Sequence, residues 1–267
     1  MPRAIVTRPA QEAQVWVDHL QGRGIDALAL PLITIAAADP QAMRRAWARL
    51  SEYHAVMFVS GNAVRHFFAQ RPVEGPLFFE AASARLRAWV TGPGSHAALV
   101  ASGVDPSLID MPALANGLFD SESLWEQVRD TVVPGMQLLI VRGSAASEDA
   151  VPQGVGRDWL SQQVSASGGA VDYVVAYERK PPVWQDAQIA LIAEAAMDGS
   201  VWIFSSTEAV AYLRASVPQQ SWGRARALAT HARIAMAVRQ VGFGQVMESR
   251  PVLDDVLASI ESANDTR

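Results

Sequence analysis

The chain has 267 residues, half of them hydrophobic and 18% charged, enough to build one large core or two of ordinary size. Its net charge of −5 argues against a general nucleic-acid binder, which carries a basic surplus. Without cysteine there are no disulfides, no thiolate catalysis and no Cys-ligated metal.

Met1-Pro2-Arg3 leads straight into a first strand at residues 4–7, with no signal pattern before it. Arg8-Pro9 turns the chain into an amphipathic helix over 11–23, with Val15, Trp16 and Leu20 on one side and Asp18 and Gln21 outside. Gly22-Arg23-Gly24 closes that helix, and a strand over 27–30 follows. A strand at 55–59 ends in Ser60-Gly61-Asn62, whose hydroxyl and amide suit the free N–H groups of a helix over 62–70. The next strand, 88–91, ends in Thr91-Gly92-Pro93-Gly94-Ser95 and leads to a helix over 95–102. A strand at 107–109, a helix over 121–129 and a strand at 137–141 follow. Arg142-Gly143-Ser144 ends that strand, and 144–157 reads as an exposed loop. A strand at 171–176 runs into Tyr177, and one at 201–204 ends in Ser205-Ser206-Thr207 before a helix over 208–215. The last strands are 226–229, ending in Thr230-His231-Ala232-Arg233, and 245–247, with a helix over 233–241 between them. Residues 262–267 are expected to fray. Strands alternating with helices in this way predict an α/β fold with parallel sheets covered on both faces. No apolar run is long enough to span a bilayer, so the expected setting is the cytoplasm, away from membranes.

The chain also says nearly the same thing twice. Phe58-Val59-Ser60-Gly61-Asn62-Ala63-Val64 is echoed by Phe204-Ser205-Ser206-Thr207-Glu208-Ala209-Val210. Val6-Thr7-Arg8-Pro9 matches Ile140-Val141-Arg142-Gly143, Leu30-Pro31-Leu32 matches Ala176-Tyr177-Glu178, and Thr91-Gly92-Pro93 matches Thr230-His231-Ala232. Two similar halves suggest two similar lobes, and a cleft between lobes is a common ligand site. The runs 35–40 and 177–182 follow the second strand of each half. Two crossings there would give a discontinuous lobe, 1–35 plus 176–267, and a continuous one, 36–175. A split near the midpoint is the competing arrangement.

In open parallel sheets, ligands bind beyond the carboxyl ends of the strands, where loops feed helix N-termini. Arg8, Ser60 to Asn62, Thr91 to Ser95, Arg142 to Ser144, Ser205 to Thr207 and Thr230 to Arg233 all fall at such ends. Each turn alone reads as an ordinary cap. Their recurrence in both halves favours a ligand site. Arg8 and Arg142 each end a strand and offer a planar fork for carboxylate. Tyr177 lies near the second crossing, where a phenol could give a proton to a leaving hydroxyl; its repeat partner is Pro31, so this role is not duplicated. His19, His54, His66, His96 and His231 have no metal-ligand spacing and read as surface or helix-face residues, His231 alone lying in a candidate site turn. No nucleophile elbow, phosphate loop or dinucleotide fingerprint is present.

Taken in order, these turns resemble the uroporphyrinogen-III synthase family over nearly the whole chain. Ile5 to Pro9, Leu30 to Ile33, Phe58 to Val64, Val90 to Gly94, Leu139 to Gly143, Val175 to Arg179, Phe204 to Val210 and the helix from Arg233 carry the likeness. The resemblance implies two flavodoxin-like parallel-sheet lobes joined by a two-stranded linker, with the chain crossing twice. It implies a small-molecule substrate, the linear tetrapyrrole hydroxymethylbilane, closed with loss of water and inversion of the terminal pyrrole. It implies no cofactor and no metal. Tyr177 would assist departure of the hydroxyl, and the turns above would bind substrate. His231-Ala232 stands where the family pattern has Gly-Pro. The expected molecule is a monomer. The alternatives are a non-catalytic two-lobed binding module and a different two-lobed transferase or isomerase.

Overall fold

A computed structural model describes residues 2–72, 86–113, 119–145 and 156–262. In chain order its elements are β1 (Ala4–Val6), α1 (Ala10–Gly22), β2 (Ala27–Ala29), β3 (Thr34–Ala37), α2 (Pro40–Ala48), β4 (Ala55–Phe58), α3 (Gly61–Phe68), β5 (Arg87–Val90), α4 (Pro93–Ala101), β6 (Ile109–Asp110), α5 (Ser121–Val128), β7 (Gln137–Ala145), α6 (Gly156–Ala166), β8 (Ala170–Lys180), α7 (Asp186–Ala195), β9 (Val201–Phe204), α8 (Thr207–Ser216), β10 (Arg226–Ala229), α9 (Ala232–Val241), β11 (Gln245–Glu248) and α10 (Leu253–Ser262). The expected loop at 144–157 is corrected at both ends. β7 runs on to Ala145 and α6 begins at Gly156, while 146–155 lie outside the described residues. The strand expected at 107–109 sits slightly later, because Asp105 caps a 3-10 turn over Pro106–Leu108. Of the expected frayed tail, Ser262 ends α10 and 263–267 lie outside the described residues.

The chain divides into two compact units, Met1–Ile35 with Lys180–Arg267, and Ala36–Arg179. In the first unit the sheet order is β2-β1-β9-β10-β11, every pair parallel. Numbered within the unit this is 2-1-3-4-5, the flavodoxin-like doubly wound order. In the second unit the order is β3-β8-β7-β4-β5-β6, with β8·β7, β7·β4, β4·β5 and β5·β6 parallel. Counted from β7, the five strands β7, β8, β4, β5 and β6 give the same 2-1-3-4-5 order. The molecule is therefore an α/β protein with two flavodoxin-like parallel sheets. Neighbouring strands β3 and β8 carry both changes of unit, after Ile35 and after Arg179. The second change falls beyond the expected residue 175, because β8 continues unbroken through Tyr177 to Lys180.

Both faces of each sheet are buried, which is why the central strands are almost wholly apolar. On β9, Val201 and Ile203 pack with Ala4, Val6 and Leu228 under Val17 and Leu20 of α1 and Val256 and Ile260 of α10. Trp202 and Phe204 point the other way, among Ile5, Ala227, Leu213, Val238, Trp222 and Phe243. The inward face of α1 is Ala13, Val17 and Leu20; Val15, expected on that face, is 66% exposed. In the second unit Ala55, Met57, Trp89, Leu138 and Ile140 meet Leu124 and Val128 of α5 and Leu160 and Val164 of α6. Phe58 faces the opposite way and meets Phe67 of α3, which stacks at 4.6 Å on Trp47 of α2.

Candidate functional site

Every strand of a parallel sheet points the same way, so the turns after its strands gather along one edge. In the second unit that edge brings together most of the expected site residues. Ser60 follows β4 and caps α3, its Oγ accepting from the Ala63 amide at 3.2 Å. The same Oγ lies 3.1 Å from the phenol oxygen of Tyr177 on β8. Gly61 opens α3 close to α4: a Cβ there would lie 3.4 Å from the Gly94 carbonyl. Asn62, in the first turn of α3, accepts from the Arg65 guanidinium at 2.8 Å. Thr91 follows β5; Gly92 is the extended N-cap of α4, and Pro93, Gly94 and buried Ser95 form its first turn.

Tyr177 is only 4% exposed. Its ring sits against Gly143, its partner across β7 and β8 just past an irregularity in the register. A Cβ at Gly143 would lie 2.6 Å from the ring's Cε2, so this position leaves no room for a side chain. On another side the His66 ring stacks on it, centroids 5.8 Å apart. Burial, with Arg65 as a second cause, lowers the His66 pKa from its ordinary value, which favours the neutral ring. His66 is the neighbour that sequence reasoning missed: it reads as one more polar residue on α3, and only the pairing of β7, β8 and β4 brings β8 beside it.

Arg142 is a correction. It does not end a strand: it pairs with Val175 inside β7, which the ladder with β8 extends to Ala145. Its guanidinium lies 4.7 Å from the centre of the Tyr173 ring, a cation–π contact. Ser144, expected in a turn, pairs with Glu178 in the same ladder.

The first unit has a corresponding edge. Thr7, after β1, donates from its hydroxyl to the Ile203 carbonyl of β9 at 2.6 Å, and the Thr230 amide donates to the Phe204 carbonyl at 3.0 Å. These bonds hold the turns after β1, β9 and β10 side by side. Arg8 stands in the first of them, its guanidinium 4.1 Å from the Trp16 ring and 3.4 Å from Glu12, with a buried Nε that has no hydrogen-bond partner among the described residues. Burial pulls its pKa below the ordinary arginine value. Ser205 and Ser206 follow β9; Ser206 caps α8 by accepting from the Glu208 amide at 3.2 Å, and Thr207 opens that helix. His231 caps α9, its Nδ1 accepting from the Arg233 amide at 3.1 Å, with Ala232 and Arg233 in the first turn. Its backbone (φ −164°, ψ 146°) closely follows that of Gly92 (φ −156°, ψ 164°), so His-Ala takes the same path as Gly-Pro in the other copy.

Among the described residues no cluster of three or more His, Asp or Glu is arranged to hold a metal, and no helix is long and apolar enough to cross a membrane. Both edges carry groups that suit an anion: helix N-termini, hydroxyls and Arg side chains. Only the second unit adds a buried phenol.

A family model described as uroporphyrinogen-III synthase HemD matches residues 14–258. The uroporphyrinogen-III synthase of Chlorobaculum parvum (strain DSM 263 / NCIMB 8327) is 26% identical over 202 residues, covering 74% of this chain and 73% of its own. A mutant uroporphyrinogen III synthase from the extremely thermophilic bacterium Thermus thermophilus superposes with a TM-score of 0.56 at 17% identity, both chains fully covered. Uroporphyrinogen-III synthetase from Helicobacter pylori 26695 gives 0.52 at 13% identity, covering 98% of this chain and 99% of that one. These two likenesses concern the fold.

Proposed function

Because the chain belongs to the uroporphyrinogen-III synthase family, enzymes of tetrapyrrole (haem) biosynthesis, we propose that it closes hydroxymethylbilane to uroporphyrinogen III with Tyr177 as general acid. The observation that carries this reading is the phenol itself, buried, wedged against Gly143 and hydrogen-bonded to the N-cap of α3. Tyr177 gives its proton to the departing hydroxyl, which leaves as water. The terminal pyrrole attacks the methylene of the azafulvene that remains through its substituted carbon, forming a spiro centre. The older bond from that carbon to the neighbouring ring's methylene then breaks, and that methylene bonds the pyrrole's free α-carbon, which inverts the ring. The proton released as the pyrrole regains aromaticity restores the phenol. The hydroxyl leaves readily and the bilane can cyclise unaided to the type I isomer, so positioning is the larger task.

The substrate carboxylates are held in this proposal by Arg8, Arg142, Gly143 and Ser144 and by the turns Ser60 to Asn62, Thr91 to Ser95, Ser205 to Thr207 and Thr230 to Arg233. The two units serve as the lobes of a cofactor-independent cytoplasmic monomer. The non-catalytic binding module is not favoured. Incubating the purified chain with hydroxymethylbilane tests the function: the type III isomer is expected, and formation of type I alone, at the uncatalysed rate, refutes it.

A further inference from the structure

We infer that Ser60 is a positioning residue for Tyr177: its hydroxyl donates to the phenol oxygen and so aims the phenol proton at the leaving group. The inference rests on the general-acid reading of Tyr177 and adds a partner to it. A serine hydroxyl has one proton to give and two lone pairs. One lone pair of Ser60 already accepts from the Ala63 amide at the start of α3. Accepting that bond polarises the hydroxyl and strengthens it as a donor. The phenol oxygen of Tyr177, 3.1 Å away, is in reach of that proton.

With the Ser60 proton on its oxygen, Tyr177 keeps its own O–H for the substrate hydroxyl. As that proton leaves, negative charge gathers on the phenol oxygen, where the Ser60 bond strengthens. No atom is transferred to or from Ser60. The oxygen is held in place by two further constraints. The backbone of Gly143 blocks the ring on one side and the His66 ring flanks it on another, so the phenol has little freedom to swing away from Ser60. Ser60 is itself fixed through its cap bond to α3. Its repeat counterpart Ser206 makes the same kind of cap bond, to the Glu208 amide, but the second half has no Tyr partner in the repeat, since Tyr177 matches Pro31.

The test compares Ser60→Ala, Ser60→Thr, Tyr177→Phe and the double variant Ser60→Ala/Tyr177→Phe on hydroxymethylbilane, with kcat and KM read separately. Ser60→Ala is expected to lower kcat about 10- to 100-fold, as for loss of a hydrogen bond to a developing charge, with KM within about twofold. Ser60→Thr, which keeps the hydroxyl and the cap, is expected to recover most of that loss. The double variant is expected to have a kcat no lower than that of Tyr177→Phe, because in the chemical step Ser60 acts through the phenol. Should Ser60→Ala fold poorly for want of its cap, Ser60→Asp takes its place. It accepts from the Ala63 amide but has no proton to donate, and its kcat should be as low. Unchanged kcat in the donor-less variants beside an impaired Tyr177→Phe overturns the positioning role and leaves the general acid standing. So does a double variant slowed by the product of the two single losses, or a loss confined to KM. Full turnover by Tyr177→Phe overturns both.

Discussion

Two glycines of the site differ in what they tolerate. Gly143 has the Tyr177 ring where its side chain would go, whereas among the described residues a Cβ on Gly92 would meet the Phe119 Cβ, at 3.7 Å. Gly143→Ala must displace the ring or the strand. It is expected to cost about 1–3 kcal/mol in urea denaturation, as overpacking does, and to slow turnover with it, while the stability of Gly92→Ala stays near the parent. His66 gives a prediction with a sign. Its folded pKa lies below the ordinary histidine value, so the unfolded chain takes up the proton first as pH falls. Stability from neutral His66 is complete above about pH 6.5 and drains away below it, down to the lower folded value. Urea midpoints measured from pH 7.5 to 5 should fall less steeply in His66→Gln; equal slopes would show that the ring contributes nothing. Ser60, Gly143 and Tyr177 could be named as candidates from the sequence because the repeat and the family resemblance marked their segments. Their mutual contact could not be read there, and neither could His66, because a hydroxyl on α3 and a phenol on β8 meet only through strand pairing.

The helix caps show how two copies of one element reach the same shape by different chemistry. His231 satisfies a first-turn amide with a side-chain acceptor, where its counterpart Gly92 uses none and Pro93 follows, while Ser206 caps through its hydroxyl as Ser60 does. Ser206→Ala should lower stability by about 1 kcal/mol. His231→Ala should lose a similar amount and His231→Asn, which restores a strong cap acceptor, should lose none; urea midpoints decide, and an unaffected His231→Ala would show that its ring is idle. The main strands could be read from apolar runs because burial on both faces leaves few polar positions. Helix α7 could not: Ile189, Ala190, Leu191 and Ile192 are contiguous, yet Ile189 is 46% exposed and Ile192 is buried, so no helical period stands out. β7 outlasts its apolar run for another reason. Pairing with β8 satisfies the backbone of Arg142 to Ala145 whatever their side chains prefer.

At the scale of the whole chain, the repeat and the units are cut differently. The first half supplies β1 and β2 to one sheet and β4, β5 and β6 to the other; the second half supplies β7 and β8 to one and β9, β10 and β11 to the other. Apart from the edge strand β3, each sheet therefore takes its first two strands from one copy and its last three from the other. The repeat announces two α/β layers but not this exchange, since partner choice is long-range information. A fragment spanning residues 36–179 is expected to unfold cooperatively in urea, and one spanning 1–133 is not, though it holds a complete copy of the repeat. A cooperative transition from the shorter fragment would count against the exchange as the basis of stability. The exchange also sets a timetable for synthesis. Residues 36–179 leave the ribosome as one uninterrupted stretch, so that sheet can close early. β1 and β2 must instead wait for β9, which follows at about 5–20 residues per second, a delay of roughly 10–35 s. Through that interval Ile5 and Val6 stay wet beside an empty seat, and a chaperone that clasps extended greasy peptides would find its target in β1.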